Sequence, residues 1–380
     1  MKSSTQIAPG GIMNIDTVII GAGQTGLATA YELKQRSRTA VVLNEHPRVG
    51  DQWRKRYASL RLNSPAQYDS LPGMAFPAPA GTFPTGAAMG DYLEAYANRM
   101  GLDVRGHTLV TGVTQLDDGT FRVDTDEQTY FACNVVIATG SENHPKVPTI
   151  ADELDPSIRQ LHSVAYRDAS QLLPGPVLVV GAGQSGADLA LEIKRAGHDT
   201  WLAGKESSTI PFELEGRAAR FILPVLWFVA HHVLTTRNPL GRKAQPAIRS
   251  NAAPLLRVKP AHLDAAGVHR TPSRVVGADA GRPMLDDGSV LEVTNVVWCT
   301  GYRRDFSYIH PAVTGESGWP RDDGGVMPEI PGLYFVGLLY QRGFYSMLIG
   351  GAGRDASFIA DHIASRVRET ASVSPALATA

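Results

Sequence analysis

Two copies of one glycine pattern, each set between an apolar run and a helical pattern, constrain this chain more than any other feature. The first reads Gly-Ala-Gly-Gln-Thr-Gly at residues 21–26, and the second reads Gly-Ala-Gly-Gln-Ser-Gly at residues 181–186. Apolar runs at residues 18–20 and 178–180 precede the two copies, and residues with helical spacing follow each of them. The sequence therefore predicts a strand, a tight turn and a helix twice over.

Each unit of this kind has the chemistry of a dinucleotide site. The first glycine permits the turn, the second lets a pyrophosphate approach the backbone, and the third lets the helix pack on the strand. We predict two such sites rather than two unrelated turns. The residues expected to contact the dinucleotides are Gly21, Gly23, Gln24, Thr25, Gly26, Gly181, Gly183, Gln184, Ser185 and Gly186.

The strand after each helix indicates which dinucleotide is bound, because an acid there binds ribose hydroxyls and a base suits a 2′-phosphate. The first of these strands ends in Asn44-Glu45, so the first site fits FAD. The second ends in Gly204-Lys205 without an acid, so the second site fits NADPH. The alternatives are that Lys205 is a solvated surface lysine and that Glu45 is merely exposed.

Composition is that of a globular enzyme. The chain has 380 residues, of which 43% are hydrophobic, and its net charge of −1 argues against nucleic acid as a partner. Residues 235–263 contain six Lys or Arg and no acid, which indicates a solvated basic loop or a segment that attracts a polyphosphate. The two cysteines are far apart, so neither a disulfide framework nor a dithiol centre is expected. We assign no metal site.

The ends of the chain and its longest apolar stretch bear on location. Residues 1–14 lack the apolar core of a signal peptide, so a cytoplasmic protein is expected. The stretch from Phe221 to Leu234 is too short to span a bilayer. We predict a buried helix there, with a substrate-lining or interfacial helix as the alternative. The tail over residues 370–380 is expected to be disordered.

The remaining pattern predicts how the two units are connected. Short strands at residues 121–124 and 130–134 lead to an apolar run that ends in Thr139-Gly140, and a similar run ends late in the chain in Thr300-Gly301. Such endings let backbone pass close beside a cofactor or a linker. A glycine-led helix start at Gly351, with the helix at about 356–366, can place its positive end against a flavin anion.

We therefore predict an α/β fold with two Rossmann-like dinucleotide-binding domains, the NADPH domain inserted into a discontinuous FAD domain. The expected boundaries are residues 14–168 for the first part of the FAD domain, 172–293 for the NADPH domain and 294–369 for the second part of the FAD domain.

Taken together, these motifs resemble those of the class B flavin-dependent monooxygenases, which include flavin-containing monooxygenases, YUCCA-type enzymes and Baeyer-Villiger enzymes. The similarity covers roughly residues 15–368. Besides the two fingerprints, it rests on Val-Gly-Asp-Gln-Trp at 49–53, Leu-Asn-Ser-Pro at 62–65, His-Ser-Val-Ala-Tyr-Arg at 162–167 and Cys-Thr-Gly-Tyr at 299–302. The resemblance implies FAD and NADPH as cofactors, with O2 and a small organic molecule as substrates. The oligomeric state is left open, with a homodimer as one option.

The chain departs from the family pattern at three places. Of the signature FxGxxxHxxx[YF] it keeps His162 and Tyr166, while Pro156 and Ile158 replace the Phe and the Gly. Gly-Asp at 50–51 replaces the usual Gly-Gly, and Asn44 stands at the customary acidic position. His162 has two interpretations, a linker residue that holds the domain junction or a direct contact of nicotinamide.

The resemblance also implies a mechanism. NADPH reduces FAD, the reduced flavin takes up O2, and a C4a-(hydro)peroxyflavin oxygenates the substrate at N, S or a carbonyl. Asn63 matches the family's active-site asparagine, although a turn asparagine is the alternative, and Gln52 and Trp53 are expected to flank the flavin. Two other functions stay open: an NADPH-dependent reductase or oxidase without oxygen transfer, and a cofactor-binding protein with a regulatory role.

Overall fold

The computed structural model of the chain describes residues 14–141, 144–250 and 253–372. Most of the sequence examined for a signal peptide, and the part of the expected tail after residue 372, lie outside these ranges. The strands, in chain order, are β1 (Asn14–Ile20), β2 (Ala40–Leu43), β3 (Asp103–Arg105), β4 (Val110–Gln115), β5 (Phe121–Thr125), β6 (Thr129–Ile137), β7 (His144–Pro145), β8 (Arg159–His162), β9 (Val177–Val180), β10 (Thr200–Ala203), β11 (His269–Thr271), β12 (Val275–Asp279), β13 (Arg282–Leu285), β14 (Asn295–Trp298), β15 (Tyr302–Arg303), β16 (Ile309–His310) and β17 (Leu333–Phe335).

The helices follow the patterns that predicted them, with some changes in their bounds. They are α1 (Gln24–Gln35), α2 (Asp51–Arg54), α3 (Gly86–Met100), α4 (Gln184–Arg195), α5 (Ala219–Phe228), α6 (Pro239–Ser250), α7 (Pro260–Ala266) and α8 (Ala352–Ser372). One π-helical stretch, Val229–Val233, continues α5. The helix expected at about 356–366 thus starts directly after Gly351, and residues 370–372 of the expected tail belong to it.

The first sheet is mixed. Among the described residues it has eight strands in the order β16-β4-β5-β6-β1-β2-β3, with β17 pairing β6. The apolar run of β1 lies parallel to β2 and to the end of β6. Alternate residues of β1 face opposite sides of the sheet, so Ile19 packs with α1, α3 and α8 while Val18 faces the second core, which includes Phe121 and Phe335. We call this sheet with its helices the first module.

The second sheet is wholly parallel. Its strands run in the order β11-β10-β9-β14-β8, and all residues of β9 and β14 are buried, as expected for a sheet covered on both faces. Helix α4 packs on one face, and the hairpin of β12 and β13 packs on the other. We call this sheet with its helices the second module.

The predicted boundaries between the two units need correction. Residues 159–162, expected in the first unit, form β8, and residues 295–298, expected in its second part, form β14. These strands pair with each other inside the second sheet, where β14 also lies beside β9. The reason is that β14 inserts its four buried residues between β8 and β9, which a short apolar run alone does not reveal.

Two short strands join the modules. The chain leaves the first module through β7 and returns through β15, and these strands pair antiparallel, Tyr302 opposite Pro145 and Arg303 opposite His144. The two crossings therefore form one ribbon rather than two separate linkers.

The apolar stretch from Phe221 to Leu234 is not a buried helix. It forms α5 and the π-helical stretch, but Phe221 is 74% exposed, Val225 62% and Phe228 59%. None of the helices in the described ranges is long and apolar enough to cross a membrane. The prediction of a buried helix is therefore wrong, because hydrophobicity alone does not tell which elements are available to cover a segment.

Candidate dinucleotide and active sites

The first glycine turn leaves no room for side chains on its inner side. Gly21 has φ of +108°, and a Cβ there would lie 2.7 Å from the Ala138 carbonyl oxygen. A Cβ on Gly26 would lie 2.0 Å from the Gly21 carbonyl oxygen, so α1 packs directly on the turn. The Leu27 amide donates to the Gly23 carbonyl at 3.0 Å, and this is the first hydrogen bond of α1. The backbone amides of the first turn, before Leu27, are therefore available to bind an anion.

The second turn repeats this geometry. Gly181 has φ of +109°, and its Cβ would lie 2.4 Å from the Cys299 carbonyl oxygen. A Cβ on Gly186 would lie 1.8 Å from the Gly181 carbonyl oxygen, whereas a Cβ on Gly183 would meet no atom within 4 Å. The middle glycine thus has open space above it, where a pyrophosphate can approach the backbone.

The two Thr-Gly endings lie beside these turns. Ala138 precedes Thr139-Gly140 and contacts the first turn, and Cys299 precedes Thr300-Gly301 and contacts the second. A Cβ at Gly140 or Gly301 would meet no atom within 4 Å. Both endings therefore keep their backbone approachable, as the sequence pattern indicated.

Of the two polar residues after β2, Asn44 and Glu45, only Glu45 has a side chain that is open to a ligand. Asn44 is only 4% exposed, and its Nδ2 donates to the His46 carbonyl at 2.9 Å, so its side chain holds the turn. The Glu45 side chain is 61% exposed, with His46 Nε2 at 3.4 Å from its carboxylate. Glu45 is thus the side chain available to a ribose at this strand end.

The end of β10 carries more charge than the sequence analysis considered. Lys205 is exposed there, and the next residue, Glu206, is an exposed acid, so the prediction of a strand end without an acid is incomplete. Its carboxylate accepts from Arg270 at 2.8 Å, and Arg270 also donates to Asp264 at 2.7 Å. The Ser207 hydroxyl donates to the Ala182 carbonyl at 3.0 Å. Arg270 reaches Glu206 because β11, which carries Arg270, pairs with β10, and this pairing was not predicted from the sequence.

Gln52 presents an unsatisfied acceptor beside the first turn. Its Nε2 lies 3.5 Å from the Ala22 carbonyl oxygen, while its Oε1 is buried and has no hydrogen-bond partner. A buried acceptor without a donor costs free energy, on the order of 1–3 kcal/mol, unless a ligand supplies the donor. Trp53 is half-buried and packs against the core of the first module, so its side chain supports α2.

Asn63 lies where the two modules meet. Its Nδ2 donates to Gln184 Oε1 at 2.8 Å, and the Gln184 Nε2 donates in turn to the Pro254 carbonyl at 2.8 Å. Arg257 holds the same loop, because it donates to the Leu62 carbonyl at 2.7 Å. The structure therefore brings Asn63 to the second glycine turn, although the two are far apart in the chain.

His162 holds the domain junction. It is 7% exposed, the Val164 amide donates to its Nδ1 at 3.2 Å, and its Nε2 lies 3.1 Å from the Gly301 carbonyl oxygen. Because Nδ1 accepts, Nε2 carries the proton and donates. Burial lowers the pKa of His162, so the ring is neutral near pH 7. This geometry supports the linker interpretation, and both ring nitrogens are occupied.

A second set of contacts across the junction was missed from the sequence. Tyr57 OH donates to Asp188 Oδ2 at 2.9 Å, Tyr166 OH donates to Glu192 Oε1 at 3.0 Å, and Ser59 also donates to Glu192. Both acceptors lie one turn apart on α4, so Tyr57 and Ser59 tie the first module to the second, while Tyr166 holds α4 from within the second module. Burial raises the pKa of Asp188.

Gly351 precedes α8 for a steric reason. A Cβ there would lie 2.0 Å from the Tyr345 carbonyl oxygen. The first turn of α8 already holds an acid, since Asp355 is 1% exposed and Arg342 lies 3.4 Å from its carboxylate. Burial raises the pKa of Asp355 to about 6. This pair was not predicted from the sequence, because Arg342 and Asp355 are brought together only by the fold.

Comparisons with known proteins agree with the geometry. The model of the pyridine nucleotide-disulphide oxidoreductase family matches residues 18–213. An uncharacterized CzcO-like oxidoreductase of Geobacillus kaustophilus is 35% identical over 92% of this chain and 98% of its own length. A probable indole-3-pyruvate monooxygenase of Arabidopsis thaliana, YUCCA9, is 30% identical over 93% of this chain and 89% of its own. A flavin-containing monooxygenase structure from Stenotrophomonas maltophilia, 24% identical, superposes with a TM-score of 0.73 over 94% of this chain and 100% of that one.

The α/β architecture with a mixed sheet is shared with this two-domain enzyme, and the relatives imply a flavin and a pyridine nucleotide as cofactors. Both glycine turns fit such groups. In each turn the close backbone packing requires glycine, and the amides at the start of the following helix can bind a phosphate. The chain belongs to the pyridine nucleotide-disulphide oxidoreductase family and, within it, to the class B flavin monooxygenases, so it is an oxidoreductase.

Proposed function

We propose that the protein is an NADPH-dependent flavoprotein monooxygenase that oxygenates a small organic molecule at N, S or a carbonyl. The observation that carries this proposal is the hydrogen bond of 2.8 Å between Asn63 and Gln184. It places an amide of the first module beside the second glycine turn, so that Asn63 lies between the two proposed dinucleotide sites.

FAD is assigned to the first turn. Glu45 is the exposed acid at the end of β2, and Gln52 directs its Nε2 to the turn while its buried Oε1 lacks a donor. An acid at this position suits the hydroxyls of the adenosine ribose. A flavin bound there supplies hydride acceptance and activation of O2, which no side chain of this protein can supply.

NADPH is assigned to the second turn, in a module that extends from about residue 146 to residue 301. Lys205 is exposed at the end of β10, and the adjacent acid, Glu206, is paired with Arg270, which also binds Asp264. Because Glu206 is directed to Arg270, the positive charge of Lys205 is available to a 2′-phosphate. The contact of His162 with the Gly301 carbonyl holds the end of this module, next to β15 through which the chain leaves it.

Asn63 is proposed to supply a hydrogen-bond donor at the junction of the two modules. Its side chain is exposed and its amide faces Gln184, so it can donate to a group bound between the modules. A preorganised donor of this kind contributes on the order of 10²-fold in rate when it faces developing charge.

The test compares Asn63→Ala with Asn98→Ala, a matched change of an exposed asparagine on α3. The purified proteins are loaded with FAD and supplied with NADPH, O2 and a panel of thioethers, amines and ketones. We expect Asn63→Ala to keep nearly normal flavin reduction and to form roughly 10²-fold less oxygenated product, with more H2O2 per NADPH. Asn98→Ala should behave like the wild type.

Two results would overturn the proposal. If the wild-type protein converts every NADPH to H2O2 or to a reduced acceptor under all conditions, it is a reductase or oxidase without oxygen transfer. If the flavin released from the purified protein is FMN, the first turn does not hold a pyrophosphate and the assignment of FAD fails.

A further inference from the structure

Helices α5 and α6 expose an apolar surface that the packing of this chain does not use. The side chains that form it are Phe221 (74% exposed), Val225 (62%), Leu226 (46%), Phe228 (59%) and Leu240 (67%). Residues 221, 225 and 228 follow helical spacing and form one stripe along α5. Side chains of this size are rarely left exposed together, so the surface calls for a partner.

The opposite faces of both helices are firmly packed. The Trp227 ring of α5 stacks on Tyr68 with 4.5 Å between ring centroids, and His231 stacks on Tyr345 at 5.2 Å. In α6, Gln245 Nε2 donates to the Tyr340 carbonyl at 2.8 Å. The two helices thus rest on nearby parts of the first module.

Arg249 adds to this anchoring of α6. It donates to the Leu339 carbonyl at 3.1 Å and stacks on Trp319 with 4.4 Å from its guanidinium carbon to the ring centroid. The inward faces of α5 and α6 are thus packed on the first module, and the apolar side chains on their outward faces remain exposed.

The charges of the segment that carries this surface have one sign. Residues 216–263 contain no Asp or Glu. The cations on and next to α5 and α6 that are exposed are Arg217, Arg220, Arg237, Arg242 and Lys243. In the described part of the chain, Arg257 and Lys259 of the same stretch form ion pairs with Glu215 and Glu213, but these five cations form none. Their charge is available to an anionic partner.

This pattern of charge selects among the partners that could cover the stripe. A second copy of the chain on a two-fold axis would bring the same surface, with the same cations, against itself. An anionic lipid bilayer instead offers both a counter-charge for the arginines and an apolar phase for the phenylalanines. We propose that the α5–α6 surface docks the protein reversibly on anionic membranes, with α5 lying in the plane of the lipid headgroups.

Docking of this kind does not depend on the proposed monooxygenase activity, and it is measured by binding alone. The flavin-loaded full chain is sedimented with vesicles of phosphatidylcholine, or of phosphatidylcholine and phosphatidylglycerol in equal amounts. We expect binding to the anionic vesicles only, and we expect it to weaken steeply with added salt, because exposed charges are screened within about 10 Å at 0.1 M salt.

Two variants separate the apolar and the electrostatic parts. Phe221→Ser with Phe228→Ser should weaken binding to the anionic vesicles by about tenfold or more, since two phenyl rings no longer enter the headgroup layer. Arg217→Gln with Arg220→Gln should weaken it by about tenfold. The matched control is Leu109→Ser with Val276→Ser, because these side chains are also exposed, at 47% and 51%, but lie elsewhere.

Three results would overturn the proposal. The first is failure of the wild-type protein to sediment with anionic vesicles at low salt. The second is equal binding of the wild type and of both variants. The third is a dimer in sedimentation velocity, without lipid, that Phe221→Ser dissociates, since a second copy would then be the partner. Flavin content and thermal unfolding establish that each variant is folded.

Discussion

Two glycines of the second turn should respond in opposite ways to the same substitution. A Cβ on Gly186 would lie 1.8 Å from the Gly181 carbonyl oxygen, whereas real Cβ atoms essentially never come under 3.0 Å. Both groups belong to the backbone, so no side-chain rotation relieves the contact, and α4 must move away from the turn. Overpacking costs about 1–3 kcal/mol, and for a displacement of this size we expect the upper end for Gly186→Ala.

Gly183→Ala is the matched change. Its Cβ meets no protein atom within 4 Å, and Gly183 has φ of −81° and ψ of −171°, an extended conformation that alanine also adopts. The free energy of unfolding should therefore change by less than about 1 kcal/mol. The new methyl group does occupy the space through which a pyrophosphate approaches, so the KM for NADPH should rise about tenfold or more.

Urea unfolding and steady-state kinetics of the two variants measure both effects. We expect Gly186→Ala to unfold at a clearly lower urea concentration than the wild type, and Gly183→Ala to unfold at nearly the same one. Unchanged stability of Gly186→Ala would refute the argument from close packing. An unchanged KM in Gly183→Ala would show that no pyrophosphate lies over the second glycine.

Three further predictions concern charge and protonation. Lys205→Ala should raise the KM for NADPH roughly tenfold and leave that for NADH unchanged, since a charge-assisted contact contributes about 1.5 kcal/mol; equal losses would remove the role in 2′-phosphate binding. Asp69 is fully buried beside Ser64, whose hydroxyl donates to its carboxylate. Burial raises the pKa of Asp69 from 3.8 to about 7, so the folded state favours the protonated carboxyl and stability is lost as the pH rises from 4 toward 7. Asp69→Asn should therefore be more stable than the wild type above pH 7, on the order of 1–3 kcal/mol, and equal stability in urea unfolding at pH 8 would contradict this. Burial lowers the pKa of His162, so the stability that the neutral ring contributes to the folded state is lost as the pH falls below the ordinary value of 6.5. His162→Gln should therefore reduce the difference in the free energy of unfolding between pH 7 and pH 5.

The sequence predicted the parts of the site that depend on local rules. Gly21 and Gly181 sit at turns whose backbone requires glycine, and the flanking apolar runs are buried strands, as their patterns indicated. The pairing of Asn63 with Gln184 was beyond such rules, because it depends on how two modules come together. The resemblance to a family supplied Asn63, but only the fold supplied its partner.

The errors have a common physical origin. The apolar run of β14 reads like the run of β6, yet one is hydrogen-bonded into the second sheet and the other into the first. Phe221 and Phe228 are apolar and are nevertheless exposed. Strand partners and helix faces are decided by tertiary contacts, and these contacts are not written into the periodicity of a single segment.

The ribbon of β7 and β15 makes the second module removable in principle. All strands of the first sheet lie before residue 144 or after residue 303, and the ribbon brings Pro145 opposite Tyr302. A short turn between these two positions would close the first module at little cost in loop entropy, because the ends to be joined are already paired neighbours. The losses would be the junction contacts together with α5 and α6, whose removal would uncover Tyr68, Tyr340 and Tyr345 of the first module. The same adjacency marks a position at which the second module could be exchanged for another without rebuilding the first module around it.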